Sequence, residues 1–278
     1  EDSLYVGSTY RYTLSAFLKL KISLRHSSSK YTTTHQNTSP ETEIRSKTSP
    51  AISVMGHYKK VSWGIHTGDY HRFPTLLEFY GDGGKTSVAN MDLQPEQGQN
   101  VDLGLKFKIT PNVQTSLNIY ASKSQNMILI LQNSQHTLRA ENISTNLIYG
   151  AEIAEHIKLS PIALKLSYTY LMAQDKSEIL GFHDNRLPGL APHHAQARIS
   201  YKTARLTLYI ENEFRTHAYL DRANQRRIPQ RFFHHMGFQT DFEKSPWRFA
   251  LVIHNLLNKR FENISLPDQI QNKARSGI

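Results

Sequence analysis

Apolar residues recur at every second position through most of this chain, and no segment keeps the three-to-four-residue spacing of an amphipathic helix. Leu4, Val6, Ser8, Tyr10, Tyr12 and Leu14 share one parity. Val101, Leu103, Leu105, Phe107 and Ile109 alternate with Asp102, Gly104, Lys106 and Lys108. Ile162, Leu164, Leu166, Tyr168 and Tyr170 alternate with Ala163, Lys165, Ser167 and Thr169, and Trp247, Phe249, Leu251 and Ile253 repeat the pattern. A period of two places successive side chains on opposite faces of a strand, so such a chain folds as sheet or not at all. The pattern predicts about twelve strands, near residues 3–13, 18–32, 50–58, 61–72, 99–110, 113–123, 144–158, 162–173, 192–203, 205–217, 230–242 and 246–257. The expected fold class is all-β, an antiparallel up-and-down meander of long strands.

The connections narrow this further. Every second one is tight, at residues 15–17, 59–60, 111–112, 160–161, 204 and 243–246. The ones between are long and polar, at 27–49, 73–98, 124–143, 174–191 and 218–229. Two unlike rims of this kind describe a transmembrane β-barrel, with short periplasmic turns and long extracellular loops. A soluble sandwich has shorter strands and no strict alternation of loop length. The off-face residues are Lys, Ser, Thr, Asn, Gln and Glu, as a wet lumen requires. Aromatics near strand ends (Tyr58, Trp63, Tyr70, Phe73, Tyr120, Phe214, Phe232, Phe233, Trp247) suit interfacial girdles. The longest apolar run, 127–131 in MILILQ, is far short of the roughly 18 residues of a membrane helix.

Composition removes other classes. The 278 residues include no cysteine, so disulfides and thiolate metal sites are excluded. The net charge of +10 is scattered rather than gathered on a helix or interleaved with aromatics. Nucleic acid is therefore not an expected partner, whereas anionic headgroups or an anionic ligand are. The opening EDSLYVGS has no basic segment followed by an apolar core. Either the chain stays inside the cell or its true beginning lies upstream.

Five stretches then stand in a telling order. HTGDYHRFPTLLEFYGDGG and NMDLQPEQGQNVDLGLKF carry Arg72, Pro74, Glu78, Asn90, Leu93, Pro95 and Glu96. ENISTNLIYGAEI carries Asn146, Gly150 and Glu152. RLPGLAPHHAQARISY carries Pro192 with His193 and His194, and LVIHNLLNKRFEN carries Asn255–Leu257 and Phe261. This series resembles the TonB-dependent outer-membrane receptors, with Met91 standing where the family usually has proline. The resemblance implies that residues 1–258 are the C-terminal portion of a plugged barrel of about 22 strands. It further implies that residues 259–278 are an extracellular loop remnant and an aberrant tail. The plug, the TonB-contacting segment and the final strand are then expected to be missing. Glu78 and Glu96 are expected to hold the ends of the 73–98 connection by accepting backbone or Arg72 hydrogen bonds.

The resemblance implies uptake of a ferric siderophore or similar chelate at the cell outer membrane, driven by the TonB energy-coupling complex through the missing plug. It implies no enzymatic activity, no cofactor and no resident metal. Haem is the alternative ligand, although no histidine lies between Phe73 and Glu96. Lys85, Arg139, Arg186, Arg222, Arg226 and Arg227 fall on the long connections and suit an anionic chelate, with Tyr219 as an aromatic contact. His71, His183 and His217 fall near the same rim.

Other motifs have plainer readings. Gly84-Lys85-Thr86 imitates the tail of a phosphate-binding loop, but Phe79 replaces its first glycine. Adjacent His193–His194 and His234–His235 would point to opposite faces and could not share one metal. No serine has a nucleophile-elbow context. The competing readings are a complete twelve-strand pore, an outer-membrane barrel hydrolase, or a soluble all-β adhesin with a dry core between two sheets.

Overall fold

The computed structural model describes residues 2–33, 41–82, 86–132, 137–241 and 247–259. Strands β1 (Asp2–Ser15), β2 (Leu18–Thr33), β3 (Glu41–Tyr58) and β4 (Val61–Arg72) come first. Helix α1 (Leu76–Tyr80) and the short strand β5 (Ser87–Val88) separate them from β6 (Glu96–Thr110). Then follow β7 (Val113–Gln132), β8 (Leu138–Leu159), β9 (Ile162–Asp175), β10 (His193–Lys202) and β11 (Leu206–Arg215). The two-residue strands β12 (Ala218–Tyr219) and β13 (Arg227–Ile228) pair with each other before β14 (Arg231–Asp241) and β15 (Arg248–Ile253).

The long strands lie side by side in chain order in one sheet, β1-β2-β3-β4-β6-β7-β8-β9-β10-β11-β14-β15, each antiparallel to the next. The sheet ends at β1 and β15, which do not pair with each other among the described residues. A closed twelve-strand cylinder is thereby ruled out for these strands, and among the described residues the only other sheet is the two-residue pair β12–β13, too small for the second layer of an adhesin sandwich.

Register assigns the two faces. Trp63, Leu105, Leu117, Ile153 and Tyr168 align across neighbouring strands, and so do Gly64, Gly104, Asn118, Glu152 and Thr169 one residue away. On the first face the aliphatics stand open, with Ile199 and Ile210 51% and 47% exposed. Such a surface is costly in water and suited to lipid. The second face is polar, carrying Asn118, Glu152 and Thr169.

Two expected loops are strands instead. β2 runs to Thr33 and β3 begins at Glu41, so most of the polar 27–49 stretch stays paired. β7 and β8 continue to Gln132 and from Leu138, building a hairpin above the membrane out of the expected 124–143 loop. The run 127–131 explains why. Ile128 is buried in one apolar cluster with Tyr31, Phe73, Phe79, Leu93 and Ala140, whereas Met127 and Leu129 are buried in another with Ile143, Ala173 and Leu187. A strand covered on both faces is apolar without alternation. A period-two reading therefore took it for the edge of a loop.

Candidate functional site

The rim carrying the long connections holds the chemistry. One part of it is the 73–98 connection, expected to lack structure but built around α1. Thr75 and Glu78 form a reciprocal capping box at the start of that helix. Glu78 Oε2 accepts from the Thr75 amide at 2.8 Å and from Arg72 Nη1 at 2.7 Å. Arg72 Nε reaches Glu96 Oε2 at 3.5 Å, and that oxygen also accepts from the Ile128 amide at 3.3 Å. Glu78 and Glu96 are buried, so the shared guanidinium offsets two carboxylates taken from water. Its place at the end of β4 ties the last residue of one strand to the first residue of β6.

The rest of the connection is fastened down along its length. The Tyr31 hydroxyl donates to the Pro74 carbonyl at 2.9 Å, and Arg45 Nη1 donates to the Leu93 carbonyl at 2.7 Å while lying over the Phe79 ring. Asn90 Nδ2 donates to the Ala140 carbonyl at 2.7 Å. Asn142 Nδ2 donates to the Gln94 carbonyl at 3.0 Å and Asn142 Oδ1 accepts from the Gln94 amide at 2.8 Å, beside the half-buried Pro95. β5 adds a parallel pair to β8. Met91 is exposed, so proline is not required there.

On the other side of the upper hairpin, the connections 176–192 and 216–230 dock on each other. Asp175, at the end of β9, is buried and accepts from Arg222 Nε at 2.5 Å and from the Ser177 amide at 2.9 Å. Arg222 Nη2 also donates to Ser177 Oγ at 2.9 Å, and its guanidinium lies over Phe182. Burial raises the Asp175 pKa, but the Arg222 and Ser177 hydrogen bonds outweigh it and hold the carboxyl below its ordinary value. Asn224, with a left-handed φ of 57°, clips the loops together. Its Oδ1 accepts from the Arg186 amide at 2.9 Å and its Nδ2 donates to the Arg186 carbonyl at 2.8 Å.

Above this clip sits a cationic and aromatic patch. Arg186 lies 4.8 Å over the Tyr219 ring, and its Nη2 is 2.8 Å from His217 Nε2. The donor there is the guanidinium, so Nε2 accepts and the imidazole is neutral. Burial, then the charges of Arg227 and Arg186, hold the His217 pKa below its ordinary value. Arg227 is the exposed register partner of Tyr219. Aromatic and guanidinium groups held at this spacing can bind a planar anionic ligand by stacking and paired donors.

The seven expected ligand residues therefore separate. Arg186, Tyr219 and Arg227 come together. Arg226 is exposed next to them, its amide held by Asp221 Oδ2 at 2.5 Å. Arg222 is committed to Asp175 beneath the patch. Arg139 stands on the upper hairpin, 3.5 Å from Glu141. Lys85 lies outside the described residues, as do Phe261 and the 260–278 tail. Sequence reading missed Asp175, Ser177 and Asn224. The polar turn signal in DRANQRR was the available cue for Asn224, and nothing local marks Asp175 as buried. Gly150 sits in the wall, where a Cβ would meet the Tyr120 hydroxyl at 2.7 Å; Glu152 follows it on the polar face, paired with Asn118 and Thr169. Among the described residues, no group of three or more His, Asp or Glu could hold a metal ion.

Comparison with known proteins agrees with this architecture. No curated protein matches the sequence. The copper transporter OprC superposes with a TM-score of 0.77 at 15% identity, over 93% of this chain and 42% of that one. The siderophore receptor PiuA from Acinetobacter baumannii gives 0.70 at 17% identity, over 93% and 39%. The ferric citrate transporter FecA in its unliganded form gives 0.72 at 15% identity, over 93% and 40%. At these identities the likeness is one of fold, and the chain spans about two fifths of each of these proteins. A single antiparallel meander with a lipid-suited face, a polar opposite face and two unlike rims matches the family model for the TonB dependent receptor-like β-barrel over residues 2–256, and the chain belongs to that family of Gram-negative outer-membrane proteins.

Proposed function

We propose that this chain forms the C-terminal part of the wall of a receptor that takes up a ferric siderophore or a similar anionic metal chelate. The reading rests on one observation, the juxtaposition of Arg186, Tyr219 and Arg227 at the rim over a buried Asp175–Arg222 clip. A guanidinium stacked on a tyrosine is held ready for a planar anion, and Arg226 and Arg227 add charge around it. Arg139 extends the basic rim, whereas Arg222 acts by positioning the loops. In this reading an energised inner-membrane partner acts through a plug carried by the whole receptor, and residues 259–278 belong to an extracellular loop and tail. The barrel performs no covalent chemistry.

The test is binding of a panel of ferric chelates to the purified protein, followed by intrinsic fluorescence. The triple variant Arg186→Ala, Tyr219→Ala, Arg227→Ala is expected to weaken the best ligand about 100-fold, at about 1 kcal/mol per contact. Unchanged affinity in a variant that retains its strand content removes the proposal.

A further inference from the structure

The lipid-facing side of the wall carries a feature that ligand uptake does not use. Across β8 to β14, register brings Leu166, Ala197, Asn212 and His234 into one outward row, with Tyr168, Ala195, Phe214 and Phe232 in the row beside it. Ala195 and Ala197 are small between larger neighbours, and they floor a groove of about 390 Å³ walled by Tyr168, Phe214 and Phe232. Asn212 and His234 satisfy each other, Asn212 Oδ1 lying 2.6 Å from His234 Nδ1. The first row continues on the far side to Glu155, the register partner of Leu166, which also lines the groove.

Glu155 is the anomaly. It has the outward parity of Ile153 and Ile157, and it is half-buried. Its Oε2 accepts from the Thr115 hydroxyl at 2.6 Å, which occupies a lone pair without cancelling the charge. The basic residues beside it, His156 and Lys158 on β8 and Lys165 on β9, have the opposite parity and face the polar side. Both members of the pair lie near the tight-turn rim, Thr115 soon after β7 begins at Val113 and Glu155 shortly before β8 ends at Leu159. That is the headgroup level of the periplasmic leaflet. A carboxylate facing lipid is unfavourable unless a cation meets it, and an ionisable group on such a surface points to a site with a partner of opposite charge. The groove leads from this carboxylate toward the opposite rim and is lined almost wholly by apolar side chains, as an acyl chain requires.

We propose that this groove holds a phospholipid of the periplasmic leaflet, its ammonium headgroup paired with Glu155 and an acyl chain lying on the Ala195–Ala197 floor. The occupant is lipid because the groove opens to the bilayer and its only charge sits at headgroup depth. The proposal is independent of which chelate the rim binds.

The experiment is native mass spectrometry of the protein purified in detergent, with phosphatidylethanolamine and phosphatidylglycerol added in equal amounts. The wild-type protein is expected to retain phosphatidylethanolamine roughly fivefold over phosphatidylglycerol, as one interfacial ion pair allows. Glu155→Gln is expected to lose the preference while still retaining lipid, and Ala197→Phe to retain less of both by filling the floor. Equal retention by the wild type, a preference for phosphatidylglycerol, or an undiminished preference in Glu155→Gln overturns the proposal. So does a photocrosslinker at position 155 that captures protein and no lipid. If either variant fails to insert, the wild-type comparison decides alone.

Discussion

Arg72, Glu78 and Glu96 show how far single residues were legible. The family resemblance marked them as a set, and the structure places the guanidinium at the end of β4 between Glu78 of α1 and Glu96 at the start of β6. Glu78→Ala removes the glutamate half of the capping box and the shorter ion pair, leaving Arg72 partly buried beside one weaker partner. A loss of about 2–3 kcal/mol is expected, reduced from the fully buried case because the guanidinium keeps some contact with water. Thermal unfolding in detergent and earlier protease nicking within residues 73–98 would register it. Gly150→Val should cost about 1–3 kcal/mol or more, because a Cβ there would run into the Tyr170 backbone carbonyl as well as meet the Tyr120 hydroxyl at 2.7 Å, so backbone and ring must both shift. Asp175 gave no such warning. It reads as one more polar residue at a strand end, and only the fold brings Arg222 to it from the next connection.

The element least well read was the β7–β8 hairpin above the membrane. Alternation is a signal of one buried face, and this hairpin has two, so its apolar run carried no period to detect. Its two faces give separable outcomes. Ile128→Ala should loosen the 73–98 connection and Leu129→Ala the 176–190 connection, each by about 2–4 kcal/mol, with protease sensitivity rising in one connection and not the other. The docked loops should also respond to acid. His217 is held below its ordinary pKa in the folded protein, so the unfolded chain binds the proton first as pH falls below about 6.5. Docking of residues 216–230 should therefore weaken from that pH downward. Asp175 has the depressed pKa of a paired carboxylate, so its contribution is full above the usual carboxylate value near 4 and is lost as pH falls from there through the lower folded value. Two successive steps in amide protection of the two connections, near neutrality and in strong acid, would be observed; Arg186→Lys with His217→Gln should erase only the first.

At the scale of the whole molecule, the meander, its strand order and its two rims were readable because parity and loop length are both written locally. Curvature and closure are not, since they depend on strands that meet only in space. The present wall leaves β1 exposed along its full length, and β15 likewise. In the isolated chain, amides in these two strands should exchange about a hundredfold faster or more than those in the central parts of β7 and β8, measured by hydrogen–deuterium exchange in detergent. Equal rates would show that the two margins find each other or another partner. The upper hairpin has one further consequence, for anyone recombining receptors to change what they take up. Because it is a shared partition, with the helix-bearing connection cemented to one side and the 176–190 connection to the other, neither neighbour can be transplanted by itself without baring half of the partition. Grafts that move residues 73–98, 126–143 and 175–190 as a single block should survive where exchanges of any one of them do not.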